Sequence, residues 1–208
     1  MNSVGLAANS CTLWVGLCKP TLFTQDRQPE TGYLAVPEVS SENRHFLPIG
    51  FLSKQVIASN KLLTCEGATL YHFGILCSTM HNAWMRYTCG RLKSDYSYAP
   101  AVYNNFPWPQ SLDEKKQSTI EAAGQAILDA RAMYPDSTLA DLYDPTAMPP
   151  ELQDAHRKLD KAVDAAYGYK GSKDDAARVA FLFERYQQLT SLLPAAPVKK
   201  LRKSKLGR

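Results

Sequence analysis

A chain of 208 residues, 45% hydrophobic and 21% charged, is long enough to bury one core or two small ones and too apolar to be disordered. Five scattered cysteines without a C-x-x-C pair and four unclustered histidines exclude a recognisable zinc site. The net charge of +4 is uneven: Lys199, Lys200, Arg202, Lys203, Lys205 and Arg208 crowd the last ten residues, while residues 111–198 are acidic.

Residues 1–20 lack a basic leader. Their apolar run is broken by Asn9, Ser10 and Thr12 and is too short to span a bilayer, so a cytoplasmic chain with free, mostly buried thiols is expected. A thiol nucleophile paired with His72 or His81 is the weaker reading, because a buried cysteine usually acts as a small hydrophobe. Up to residue 110, short apolar runs alternate with turn signals. Tyr33–Val36, Ile49–Leu52, Val56–Ala58, Leu62–Cys65 and Ala68–Leu76 read as strands. Ser78–Cys89 reads as a helix, with Met80, Trp84 and Tyr87 on one face and Gly90 as its stop.

Beyond residue 110 the period is helical. Ser111 with Glu114 forms a capping box ahead of Ile120, Ala123, Ile127 and Ala130. Thr138 with Asp141 caps a short turn. Pro149 and Pro150 open a helix with Leu152, Ala155 or His156, Leu159 and Val163 on one face, ended by Gly168 and Gly171. Ser172 with Asp175 starts a last helix, whose apolar side runs Val179, Leu182, Phe183, Tyr186, Leu189 and Leu193. The expected fold class is therefore α+β: a small mostly-β region with one helix, then a three-helix bundle packed on it. The divisions fall at residues 1–20, 21–110, 111–194 and a basic tail, 195–208.

The densest chemistry lies in Gly90–Pro109, GRLKSDYSYAPAVYNNFPWP. Lys93 and Asp95 alternate in a segment that reads as extended, which would put both on one face. Lysine donates to guanine O6 and N7, and aspartate accepts from the N4 amine of the paired cytosine. A local surface ion pair is the plain alternative. Tyr96, Tyr98 and Tyr103 suit packing better than phosphate binding. Phe106-Pro107-Trp108-Pro109 suits a rigid exit from the domain.

The phrases YNNFPWP, LADLYDP and MPPELQDAHRKLDKAVD, within a match from about Thr21 to Leu193, resemble the C-terminal part of MmeI-like DNA methyltransferases. These are single-chain restriction–modification proteins that methylate adenine N6. The resemblance implies a target recognition domain followed by a helical domain, with double-stranded DNA as partner. It implies that Lys93 and Asp95 act as a pair on one base pair, favouring guanine, where Glu and Arg would favour cytosine. Ser97 stands where the family often carries arginine, and is too short for a bidentate base contact. Arg91 and Lys54 are the candidates for backbone phosphates.

Several pieces of the family's chemistry have no match in these residues. No glycine-rich turn opens a βαβ unit for S-adenosylmethionine, the family's cofactor. Asn105-Phe106-Pro107-Trp108 has the wrong order for the methyltransferase tetrapeptide, and Pro149-Pro150 is flanked by Met148 and Glu151. Nor is a nuclease centre legible at Asp113-Glu114-Lys115. The expectation is a recognition module without catalytic residues, cofactor or metal of its own, working beside a separately encoded methyltransferase half. The rivals are a protein-interaction scaffold or degenerate gene product, and an active methyltransferase subunit.

Overall fold

Tyr33, Leu34, Ala35 and Val36 are apolar in succession because β1 (Tyr33–Pro37) is the middle strand of its sheet, buried on both faces. The structure is a computed structural model describing residues 29–110 and 113–191; the N-terminal segment 1–20 and the basic tail 195–208 lie outside the described residues. β1 pairs antiparallel with β3 (Gly50–Leu52) and with β4 (Leu62–Glu66). A second antiparallel sheet has the order β2 (Val39–Ser40), β6 (Asp95–Ser97), β5 (Gly90–Leu92). One stretch of chain serves both sheets and turns between them at Glu38. Its N–H donates to the Lys61 carbonyl at 3.0 Å, and its carbonyl accepts from the Tyr98 N–H at 2.7 Å.

The helices are α1 (Leu70–Cys77), α2 (Thr79–Thr88), α3 (Pro100–Asn104), α4 (Glu114–Ala132), α5 (Leu139–Leu142), α6 (Pro150–Tyr167) and α7 (Asp175–Thr190). The α+β class holds, with three helices rather than one before residue 110. Ala68–Leu76, expected as a strand, is largely α1. Phe73 through Cys77 are all buried, so this helix has no polar side and leaves no stripe for periodicity to reveal. Val56–Ala58 is a loop rather than a strand, tied down by the Tyr33 hydroxyl, which donates to the Val56 carbonyl at 2.5 Å. α2 was legible, but Tyr87 points to solvent, and Gly90 begins β5 instead of capping the helix.

Caps also shift. Ser111 lies outside the described residues, and Asp113 caps α4 by accepting from the Lys116 N–H at 2.7 Å. Asp174, not Ser172, caps α7 through the Ala177 N–H at 2.8 Å. Thr138 and Asp141 form the expected box on α5, and Gly168 ends α6 in the left-handed conformation, φ +66°. On α7, Val179 and Leu182 are buried while Phe183 and Leu189 are exposed, so the apolar face is shorter than its sequence pattern.

The helices do not close a bundle of their own. α4 packs on α6 and on α1, while α7 lies against α2 from the first half. Side chains of both halves form one continuous core, from Leu34 and Phe73 to Leu159 and Leu182. Polar pins cross the same seam. The Asp160 carboxylate accepts from Thr79 N–H at 2.7 Å and Thr79 Oγ at 2.6 Å, placing an anion at the start of α2. Arg131 of α4 donates to the Ile49 carbonyl at 2.8 Å and to the Tyr143 hydroxyl, which bonds His156 at 2.8 Å. Arg86 pairs with Asp175 at 2.6 Å, and the Tyr167 hydroxyl donates to the Pro107 carbonyl at 3.1 Å. None of the described helices is long and apolar enough to cross a membrane.

α1 and α4 cross at two glycines. A Cβ on Gly74 would stand 2.8 Å from Ile120 Cγ2 and 3.1 Å from the Ile120 carbonyl; one on Gly124 would stand 3.1 Å from the Leu70 carbonyl. Gly74→Ala gains helix propensity, up to about 1 kcal/mol, but drives a methyl into Ile120 Cγ2 and crowds the Ile120 carbonyl. The expected net is a loss of about 1–3 kcal/mol, read as a lower denaturant midpoint. A midpoint equal to or above that of the unaltered chain would contradict this crossing.

Candidate nucleic-acid interface

Gly90–Ser97 folds as a β-hairpin. Leu92 and Asp95 are the last paired residues, so Lys93 and Ser94 make a two-residue turn. Lys93 has φ +56°, the one non-glycine residue with positive φ among the described residues. Lys93 and Asp95 therefore do not alternate along one strand, as the sequence suggests; Lys93 occupies the tip and Asp95 the first position of the returning strand. A turn must reverse the chain within two residues, and that requirement overrides the period of two.

Along β6 burial alternates. Tyr96 and Tyr98 face inward, while Asp95 and Ser97 face outward and are partly exposed. Arg91 lies directly across from Tyr96, with its guanidinium carbon 4.0 Å from the ring centroid. Its Nη1 also donates to the Ser94 carbonyl at 2.7 Å and stands 3.7 Å from the Glu42 carboxylate. The Glu42 N–H in turn donates to Asp95 Oδ1 at 3.4 Å. Arg91 and the loop at Glu42 thus clamp the hairpin. Lys93 forms no ion pair with Asp95 or with any other described residue, so the local-pair alternative is not realised.

Behind the hairpin stands His81, fully buried on α2. Its Nδ1 lies 2.9 Å from the Leu76 carbonyl, which can only accept, so the ring hydrogen sits there. Nε2 is then an acceptor for the Tyr98 hydroxyl at 3.0 Å. Burial pushes His81 down to about 4, which keeps it neutral near pH 7. Trp84 Nε1–H donates to the Val102 carbonyl at 3.0 Å, and Phe106 packs edge-on to His81 and Trp84. The tyrosines are packing groups here: Tyr96 and Tyr98 are buried, and the Tyr103 hydroxyl sits 3.7 Å from Cys65 Sγ.

Of the other expected site residues, Ser97 lies between Gly90 and Val39 in the ladder, outward and half-buried. Lys54 is exposed in the turn after β3, beside the other sheet. The structure adds a pair that sequence distance concealed. Lys61 Nζ lies 3.3 Å from Glu38 Oε2, exposed, where Glu38 meets the end of β6 through Tyr98. Residues 23 apart with no shared motif leave no signal for this.

The left-handed backbone at Lys93 costs a residue with a Cβ roughly 1 kcal/mol relative to glycine. The two-residue hairpin turn itself demands a positive φ at this position, whichever residue fills it. Lys93→Gly is expected to raise stability by about 0.5–1 kcal/mol in denaturant titration. A fall in stability would show that the lysine side chain supports the turn.

Residues 16–110 match the family model described as MmeI, target recognition domain, and residues 112–194 match MmeI, C-terminal domain. The chain belongs to the MmeI family. It is similar to the Type IIL restriction-modification enzyme MmeI, solved in complex with DNA, with a TM-score of 0.81 and 52% identity over 87% of this chain and 24% of that one. It is also 42% identical to DNA methyltransferase A of Bacillus subtilis (strain 168) over 168 residues, 80% of this chain. The chain spans 19% of that methyltransferase's length. The two MmeI domain matches flank residue 111, and side chains from both matched segments share the one core described above.

Proposed function

We propose that this MmeI-family chain recognises a specific sequence in double-stranded DNA through the hairpin tip, as the reading part of an adenine-N6 methyltransferase of a restriction–modification system. The supporting observation is the pair at the tip: a cation and an anion at the turn, both reachable by solvent and not spent on each other. Lys93 donates to guanine O6 and N7 while Asp95 accepts from cytosine N4, so one G·C pair satisfies both. Arg91 exchanges Glu42 for a phosphate while keeping its bond to the Ser94 carbonyl. Lys54 is the second phosphate-side cation, and such contacts position the duplex without specifying it.

Methyl transfer to adenine belongs, in this reading, to a catalytic part working with the module. The described residues do not fit S-adenosylmethionine. β4 does lead through Gly67 into α1, but its sheet is antiparallel and the turn holds a single glycine, not a cradle for the cofactor.

Competition binding over a panel of duplexes at two salt concentrations tests the proposal. The expected result is a preference for guanine at one position that survives raised salt, since base contacts release few counterions. Uniform binding that fades with salt at every sequence would leave only an electrostatic attachment and overturn it.

A further inference from the structure

We propose that Leu92 is a third reading side chain, contacting the C5-methyl group of a thymine next to the G·C pair taken by Lys93 and Asp95. This rests on the reading of that pair. Leu92 closes the hairpin directly opposite Asp95 and is 56% exposed. It is neither part of the core nor packed against it. Directly opposed residues on antiparallel strands carry their Cβ atoms about 4.5–5.5 Å apart on the same face. Arg91 and Tyr96, the next pair along, stack on each other on the inner side. Leu92 and Asp95 therefore share the outer side with the turn that bears Lys93.

The tip thus presents an anion, a cation and a branched aliphatic group side by side, with opposed Cβ atoms about 4.5–5.5 Å apart, more than one base step of about 3.4 Å and less than two. The major groove displays a partner for each: the cytosine amine, the guanine O6 and N7 acceptors, and the thymine methyl. Position 92 gains nothing for the fold from being apolar. A single exposed leucine is ordinary on a protein surface; its place directly opposite Asp95 at the hairpin tip is what points it to the groove.

The test uses the full chain. Selection from a randomised duplex pool gives the preferred site, and each of its thymines is then replaced singly by deoxyuridine, which lacks only the methyl group. One thymine beside the selected G·C pair should show binding weakened about fourfold on replacement, the worth of one buried methyl-sized group. Leu92→Ala should lose that difference while keeping the guanine preference, and Leu92→Met should retain part of it. The proposal is overturned if no thymine is selected beside that pair, if deoxyuridine binds equally there, or if Leu92→Ala keeps the penalty. A chain that selects no sequence at all would instead refute the reading of Lys93 and Asp95 on which this inference stands.

Discussion

A chain carrying Lys93→Glu together with Asp95→Arg is expected to prefer cytosine where the unaltered chain prefers guanine. The exchange reverses donor and acceptor at the hairpin tip; it keeps the Arg91–Tyr96 stack and the Arg91–Glu42 pair and gives up the long Glu42 N–H bond to Asp95 Oδ1. Arginine at position 95 reaches the guanine of the opposite strand, and glutamate at 93 accepts from the cytosine amine. Each contact carries about 1–3 kcal/mol of discrimination, so inverting both changes the ratio of the two affinities by at least a hundredfold. The single variants should bind poorly to either pair, since each sets two like groups against one base pair. Competition binding of both duplexes to all four proteins reads this directly. If the double variant still prefers guanine, the tip does not read the pair.

Acid should unfold this protein well before its surface carboxylates are exhausted. His81 and His156 are fully buried. Burial pushes His81 down to about 4; burial and the Arg131 guanidinium push His156 down to about 3. In the unfolded chain both take a proton near pH 6.5, so the unfolded state binds more protons below that value. Stability is thus intact above pH 6.5 and falls as pH drops, until the folded histidines themselves titrate. Each contributes a loss of about 1.4 kcal/mol per pH unit once well below 6.5. Asp160 opposes this, because burial raises its carboxyl, but it is one group against three, since burial lowers His72 as well. Urea titrations at pH 7, 6 and 5 should show a falling midpoint, with a shallower fall in a His81→Gln/His156→Gln chain. A midpoint constant from pH 7 to 5 would mean that water reaches these rings.

The same two histidines show why part of the molecule was hidden in the sequence. His156 falls on the apolar face of α6, as its spacing suggested, but its partner Tyr143 lies on another element, and the Arg131 that polarises the pair lies on α4. In the sequence His81 stood only as a possible partner for a thiol nucleophile, and packing reveals instead that it holds Tyr98 behind the hairpin. α1 was misread for a related reason. Periodicity measures a difference between two sides of a helix, and a helix enclosed by α2, α4 and α6 has none.

By itself the sequence determined the strand at Tyr33–Val36, the helices from α4 onward, and the concentration of charged and tyrosine side chains in Gly90–Ser97. These depend on local signals: turn residues, caps, spacing of apolar side chains, and side-chain types matched to base edges. Tertiary structure alone decided that Lys93 sits at a strained tip, that Glu42 and Arg91 clamp the hairpin, and that the two matched segments share one core crossed at Gly74 and Gly124. Such features arise where distant residues compete for the same volume and the same hydrogen-bond partners. No local pattern encodes the outcome of that competition.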